Sequence, residues 1–297
     1  MRQSAQRPRC SPQRARSVPR PSHWEQTASK PQQNNQKEDT ATRLRHVRAI
    51  FSPLFFAKEL LNFHPEPAQE HVLRNAHFKK RIALNCNRQW GKSTIAAILI
   101  AHRLYTQPNS LVLIVAPAGR QAGETFLKVK DFLLHLDQPL TTDRINQDSI
   151  VLPNGSRLVC LPAVDGTARG FSSVSLLLFD EAARIKDRVY FAFRPMLAVK
   201  QGDLMIISTP EGRSGFFYRE MMGLNPKTAG KWFRHTGPVT ECMPRITQDF
   251  IDEEQSLGEA YFQQEWMCVF LKTTLYTLDE LTLHKMIKRE LDAFEWL

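Results

Sequence analysis

Short apolar runs alternate with helical patterns along most of the chain. Two helices are predicted from apolar spacing, at about 68–76 and 121–136. The predicted strands are 81–86, 110–116, 149–152, 156–161, 176–179 and 203–208. Pro153-Asn154-Gly155 is a hairpin turn between the third and fourth of these strands. Most of the remaining strands are apolar throughout, which is typical of parallel strands covered on both faces, so we predict an α/β fold with a doubly wound, mostly parallel sheet.

The pattern changes at both ends of this alternating region. Helix and docking loop are expected from about Arg43 to Phe63. After Pro210 the strand signals fade, and residues 247–270 are predicted to form helices interrupted at Gly258, as a helical C-terminal extension. A further helix is expected over 277–296, beginning with a capping box, and its apolar stripe is interpreted as a docking face.

The net charge of the chain favours a polyanionic partner. The 297-residue chain has 40 Lys and Arg against 30 Asp and Glu, for a net charge of +10. Residues 1–42 are basic and rich in proline, so we expect a disordered tail. A dispensable tail, or an upstream start wrongly chosen, is the simpler interpretation, and a DNA-contacting arm is the functional one. A transit peptide is less favoured because the prolines interrupt an amphipathic helix.

Composition and residue spacing disfavour a membrane protein and a protein with a Cys or His metal site. Apolar runs are shorter than the roughly 18 to 20 residues that a membrane span requires, so no membrane association is expected. The five cysteines and nine histidines show no metal-ligand spacing, and buried thiols in a reducing cytosol are the expected state of the cysteines.

The segment from Cys86 to Thr94 has the features of a phosphate-binding loop with one glycine missing. The usual motif has glycine six residues before the lysine, where this chain has Cys86. Gly91 allows the backbone to approach an anion at a helix N-terminus. Lys92 is expected to reach the β- and γ-phosphates of a nucleotide, and Ser93 to offer a hydroxyl to Mg²⁺.

Asp180 and Glu181 follow the strand at 176–179. Ligands of open α/β sheets bind at the carboxyl ends of the strands, where this pair is expected. We expect Asp180 to hold the Mg²⁺ shell and Glu181 to orient and deprotonate the attacking water. A surface accident is the alternative for an Asp-Glu pair alone, but the phosphate loop earlier in the chain favours a nucleotide hydrolase.

Two further features have competing interpretations. Ser208-Thr209-Pro210 ends a strand beside the expected γ-phosphate, either as a sensor that couples hydrolysis to motion or as a plain turn. Arg88 lies within the loop, where its charge would stabilise the phosphoryl-transfer transition state or would serve a structural salt bridge or a loop hydrogen bond. The residue types leave both questions open.

These motifs together resemble the ATPase domain of the large terminase subunit of tailed bacteriophages. The resemblance is carried by segments in the family's order, between about residues 50 and 275. They are Asn87-Arg88-Gln89-Trp90-Gly91-Lys92-Ser93, the hairpin at 149–161, Thr167-Ala168-Arg169-Gly170-Phe171, Asp180-Glu181-Ala182-Ala183, Ser208-Thr209-Pro210 with Gly212, Gly215, Phe216 and Phe217, and Phe262 to Phe270.

The resemblance implies a Mg²⁺-dependent ATPase that translocates double-stranded DNA during genome packaging. It implies a fold of the P-loop NTPase type and an arginine finger in cis at Arg88. Gln69 is similar to the family's adenine-contacting glutamine, and the role of Arg169 stays open. The implied nucleotide-binding set is Gln69, Asn87, Arg88, Gln89, Trp90, Gly91, Lys92, Ser93 and Thr94. Implied partners are a small terminase subunit, a portal protein and further copies in a ring, within the cytoplasm of a bacterial host.

The C-terminus departs from the family pattern. Large terminases usually continue into a metal-dependent nuclease domain, whereas 27 residues follow Phe270 here. We therefore expect a P-loop ATPase domain at 43–270 and a helix or linker at 271–297, without nuclease activity. A fragment, a split-gene product and a prophage remnant each explain such a chain.

Two other functions compete with the packaging motor. A helicase-like DNA-dependent ATPase has similar motifs but needs a second α/β domain, which the residues after Pro210 are not expected to form. A degenerate prophage protein that binds nucleotide without turnover is the second alternative, disfavoured because no key side chain is missing.

Overall fold

The computed structural model describes residues 42–117, 119–136, 144–145, 148–164 and 170–272. The chain divides into two units, Met1–Arg43 and Leu44–Leu297. Of the first unit only residues 42 and 43 are described, in a helix. The predicted tail, the segment Thr167-Ala168-Arg169 and the predicted C-terminal helix lie outside the described residues.

The strands of the described residues form one sheet of eight. They are β1 Arg81–Cys86, β2 Leu111–Ala116, β3 Arg144–Ile145, β4 Ser149–Val151, β5 Arg157–Pro162, β6 Leu176–Asp180, β7 Asp203–Ser208 and β8 Trp232–Gly237. Their spatial order is β3-β4-β5-β2-β6-β7-β1-β8. The pairs from β5 to β8 are parallel, and β3 and β4 add an antiparallel edge. The predicted mostly parallel sheet is confirmed.

In sequence, helices precede the first strand, connect several strands and follow the last one. They are α1 at 42–51, α2 Pro53–Phe55, which continues as a π-helical turn Phe56–Leu60, α3 Pro67–Asn75, α4 Lys92–Thr106, α5 Gly119–Leu134, α6 Asp187–Phe193, α7 Gly215–Met222, α8 Gln248–Ser256 and α9 Glu259–Glu265. The predicted break at Gly258 separates α8 from α9, with φ +141° at the glycine. None of the described helices is long and apolar enough to cross a membrane.

Alternate residues of the central strands enter two different apolar cores. In β1, Ile82 and Leu84 pack into the core that contains α3, α4 and α5, whereas Ala83 packs into the core with α6 and α7. β7 alternates in the same way, because successive side chains of a strand point to opposite faces. Both faces of the sheet are therefore covered, as in a doubly wound fold.

A strand, β8, follows Pro210, where the strand signals of the sequence fade. β8 pairs in parallel with β1 at the edge of the sheet. Its sequence, Trp-Phe-Arg-His-Thr-Gly, has charged and polar residues in the middle, and the side chains there are only partly buried. An edge strand needs no apolar run on both faces, so hydrophobic patterning did not indicate it.

Four cysteines lie in the described part of the chain, and all are buried and outside any disulfide: Cys86, Cys160, Cys242 and Cys268. Burial raises the pKa of the Cys160 and Cys268 thiols to about 12. Among the described residues there is no group of three or more His, Cys, Asp or Glu that could hold a metal ion.

Candidate nucleotide site

The loop between β1 and α4 has the backbone shape of an anion cradle. Gly91 is left-handed, with φ +89°, and α4 begins at the next residue, Lys92. A Cβ at Gly91 would lie 2.9 Å from Nε2 of Gln69. Both the backbone conformation and the close approach therefore require glycine here.

Cys86 does not disturb this loop because it still belongs to β1. It is extended, fully buried, and in register with Gly237 of β8. A Cβ at Gly237 would lie 3.0 Å from the Cys86 sulfur and 2.5 Å from the Trp90 ring. The close approach that the usual motif accommodates with its first glycine is accommodated here by a glycine on the neighbouring strand.

Asn87 and Trp90 hold the loop to the last residue of β8 and to the segment after that strand. The Asn87 backbone N–H and Nδ2 both donate to the Gly237 carbonyl, at 3.0 and 3.1 Å, and its Oδ1 accepts from the Gln89 N–H at 2.8 Å. Trp90 is 1% exposed, and its Nε1 donates to Glu241 at 2.7 Å. The Asn87 and Trp90 side chains and the Asn87 N–H are thus all hydrogen-bonded within the protein, so these two residues fix the shape of the loop.

Gln69 braces the loop from the opposite side. Its Nε2 donates to the Trp90 carbonyl at 2.7 Å, and its Oε1 accepts from the Glu66 N–H at 3.0 Å in the capping box of α3. The side chain is buried. The amide therefore links the start of α3 to the residue before Gly91.

Lys92 and Glu181 approach each other below the loop. The Lys92 Nζ lies 3.9 Å from Oε1 of Glu181, and the two side chains are 6% and 19% exposed. Glu181 has a left-handed backbone, with φ +49°, just beyond the end of β6. Such a conformation is uncommon outside glycine and is found at functional sites more often than elsewhere.

Asp180 is held by two hydrogen bonds. Its Oδ2 accepts from Oγ1 of Thr125 on α5 at 2.6 Å, and its Oδ1 accepts from the Glu181 N–H at 2.9 Å. Burial of the carboxylate is the largest cause that raises its pKa, and the neighbouring Glu181 charge adds to it. Hydrogen bonds from Thr125 and from the Glu181 backbone, together with the Lys92 charge, act in the opposite direction.

Replacing Asp180 by Asn is expected to stabilise the fold. Because the pKa of Asp180 in the folded state lies above the ordinary aspartate value, the free energy of unfolding falls as pH rises from the ordinary pKa through the raised one. The ionised carboxylate therefore destabilises the protein at neutral pH. An Asn amide can donate to the Thr125 hydroxyl and still accept from the Glu181 N–H. We expect Tm to rise by a few degrees at neutral pH, measured by thermal denaturation.

The difference in Tm between this variant and wild type should become smaller as pH is lowered towards the ordinary aspartate pKa of about 3.9. A matched exchange at the exposed Asp252 of α8 serves as the control. An Asp180→Asn variant less stable than wild type at neutral pH would show that the ionised carboxylate does not destabilise the fold.

Ser208 lies between the loop and the acidic pair. Because β7 is the strand between β1 and β6, its carboxyl end brings Ser208, Thr209 and Pro210 between Lys92 and Asp180. All three residues of this segment are buried. Ser208 is in register with Asn85 of β1.

Three buried oxygen atoms at these strand ends have no hydrogen-bond partner among the described residues: Oγ of Ser208, Oε2 of Glu181 and Oδ1 of Asn85. A buried polar atom without a partner costs free energy, and such atoms are typical of sites that bind a polar ligand. Hydroxyl, carboxylate and amide oxygens are the ligand types that suit Mg²⁺ and its bound water. The donor set therefore fits a hydrated magnesium ion with a phosphate group.

The remaining loop residues are more exposed. Ser93 and Thr94 lie half-buried in the first turn of α4. Arg88 is 64% exposed, and its Nε donates to Oε2 of Glu265 on α9 at 3.1 Å. This contact is the salt bridge that was one of the two interpretations of Arg88, and it joins the loop to the last described helix.

Several residues of this site were not predicted from the sequence. Thr125 lies on an ordinary amphipathic helix, so no sequence signal marks it. Asn85 is a polar residue within an apolar strand, which is a usable signal. Glu265 belongs to a segment far along the chain that only the fold brings to Arg88. Arg169, whose role was open, lies outside the described residues.

Comparison with known proteins shows the family of this chain. Residues 85–282 match the family described as terminase large subunit, T4likevirus-type, N-terminal. The terminase large subunit of Thermus phage G20c is 29% identical over 185 residues, which cover 56% of this chain and 38% of that protein. That of Thermus virus P23-45 is 30% identical over the same shares. The chain thus spans less than half the length of these curated relatives.

Solved structures share the fold. The large terminase ATPase domain of Thermus phage P74-26 aligns with a TM-score of 0.56 and 24% identity, covering 72% of this chain and 97% of that domain. The large terminase of a thermophilic bacteriophage, in complex with ATP-gamma-S, aligns with a TM-score of 0.58 and 11% identity, over 70% of this chain and 53% of that one. The family match extends over more than half of the sequence, and the chain belongs to the terminase large subunit family, T4likevirus-type, in its N-terminal part.

Proposed function

We propose that this chain is the ATP-hydrolysing part of a packaging motor that translocates double-stranded DNA. One observation carries the proposal: the phosphate loop, the acidic pair and Ser208 converge at the carboxyl ends of three adjacent strands, β1, β7 and β6. Family membership supports the assignment, and so do the relatives named as large terminases, one of them bound to an ATP analogue.

The phosphate loop supplies the proposed nucleotide contacts. Backbone N–H groups of the loop and of the first turn of α4 bind the phosphates, and Lys92 neutralises charge on the β- and γ-phosphates. The side chains of Asn87 and Trp90 keep the loop in shape, and the Gln89 N–H donates to Asn87. Gln69 supports the same loop, and its contact with adenine remains a prediction from the family resemblance.

Glu181 is proposed as the general base. Its Oε2 is buried and without a partner among the described residues, so it can accept a proton from a water held near the γ-phosphate. Ser93 and Asp180 would hold Mg²⁺, which neutralises phosphate charge when bound. Arg88 is proposed to assist charge stabilisation, which requires that its contact with Glu265 open.

Coupling is assigned to Ser208, Thr209 and Pro210. A hydroxyl at the end of the strand between the loop and the acidic pair can hydrogen-bond a γ-phosphate and lose that bond on hydrolysis. Movement of this segment would in turn move the residues that follow it in the chain. We propose the ATPase domain at 43–270, acting in a host cytoplasm with a small terminase subunit, a portal protein and further copies of itself.

The test is phosphate release from ATP by the purified chain, with and without Mg²⁺ and with and without duplex DNA. We expect turnover that requires Mg²⁺ and increases with duplex DNA. ATP binding without release under all these conditions would favour a degenerate remnant. Strand separation on a forked duplex would favour a helicase, but the described residues form a single sheet and supply no second α/β unit.

A further inference from the structure

A basic surface lies at the end of the sheet opposite the phosphate loop. Six Lys and Arg residues cluster where β1, β7 and β8 begin: Lys79, Lys80, Arg81, Arg194, Lys200 and Lys231. They line two adjoining grooves with volumes of about 530 and 420 Å³. Since a six-residue strand is about 20 Å long, this amino-end basic surface is separated from the nucleotide site by the length of β1.

The cations of this surface lack carboxylate partners within the described part of the chain. None of the six forms an ion pair with a carboxylate of the described residues, whereas basic side chains elsewhere often do, as in Arg74–Glu70 and Arg245–Glu66. The carboxylate that lines the grooves, Asp203, is engaged by Arg103. The surface therefore carries an excess of positive charge, which Asp203 and Glu220 offset only in part near Arg81.

The fold brings like charges together here. Arg81 is in register with Trp232 on the neighbouring strand, so Lys80 and Lys231 lie immediately before two paired strands. Burial lowers the pKa of Arg81 and the nearby Arg194 lowers it further, and these two causes outweigh the opposing effect of Asp203 and Glu220. Like charges on adjacent strands are destabilising, so a cluster of this kind is expected where an anionic partner compensates it.

We propose that the amino-end basic surface binds the phosphate backbone of duplex DNA. A protein partner would favour an apolar centre, but among the groove-lining residues Phe78 is the single large apolar side chain that is exposed. Duplex DNA presents a phosphate charge about every 1.7 Å along its axis, which a row of ammonium and guanidinium groups can follow. The choice of DNA as the polyanion rests on the proposed motor function.

The test is the affinity of the full chain for a labelled duplex, measured without nucleotide over a range of salt concentrations. The variant Lys80→Gln with Lys231→Gln is expected to bind at least about tenfold more weakly, with a log–log salt slope shallower by about two. The pair Lys130→Gln and Lys272→Gln has the same charge change at other sites and is expected to bind as wild type does. ATP turnover without DNA should be the same in all of them.

A second pair, Lys79→Gln with Lys200→Gln, repeats the test if the first pair destabilises the fold. Equal affinity of the surface variants and the control pair would overturn the proposal, as would the absence of duplex binding by wild type. Binding of polyglutamate as tight as that of the duplex would indicate an acidic protein partner instead, and would also overturn it. Loss of DNA binding with normal turnover separates this surface from the motor assignment, which depends on turnover.

Discussion

Replacing Glu181 by Gln is expected to abolish ATP turnover while ATP binding persists. The amide keeps the size of the side chain but cannot take a proton from water, and loss of a general base lowers rates by about 10²- to 10⁴-fold. Binding should persist because Lys92 and the loop backbone are unchanged, and removal of the carboxylate charge leaves less repulsion towards phosphate. Steady-state phosphate release and calorimetric ATP titration measure the two effects separately.

The control for this variant is Glu253→Gln, which removes a carboxylate from the exposed face of α8. It should turn over ATP as wild type does. If Glu181→Gln hydrolyses ATP at the wild-type rate, Glu181 is not the base, and the basis for placing hydrolysis at the end of β6 is lost.

Replacing Lys92 by Ala is expected to remove both turnover and tight nucleotide binding. The Lys92 residue is 5% exposed and begins α4, so its truncation takes a charged donor out of a desolvated site. Hydrogen bonds to charged groups contribute about 1.5–3 kcal/mol, which corresponds to roughly 10- to 100-fold in ATP affinity. It also leaves the Glu181 carboxylate without its nearest described cation, which adds repulsion towards phosphate.

Thermal denaturation with and without ATP distinguishes the two variants. A ligand that binds only the folded state raises Tm, so Glu181→Gln should keep the ATP-dependent rise and Lys92→Ala should lose it. Lys128→Ala, on α5 and paired with Glu124, is the matched control and should behave as wild type. A Lys92→Ala variant that still turns over ATP would exclude the loop as the catalytic phosphate site.

The main residues of the candidate site could be predicted from the sequence because each lies next to a strong local pattern. Lys92 follows a glycine at a strand-to-helix junction, and the acidic pair follows an apolar strand. These patterns depend on backbone geometry close in sequence, and the strand bounds at 81–86 and 203–208 agree with the structure. β8 was missed because a partly exposed edge strand lacks an apolar run.

The sequence by itself determined the fold class, the phosphate loop and the order of the motifs, because hydrophobic periodicity and turn chemistry act over a few residues. Only the tertiary structure decided how distant segments meet. It set β7 between β1 and β6, joined Thr125 to Asp180, and gave Cys86 its room through Gly237. Strand order and close packing depend on contacts between residues far apart in the chain, and local patterns carry no information about those pairings.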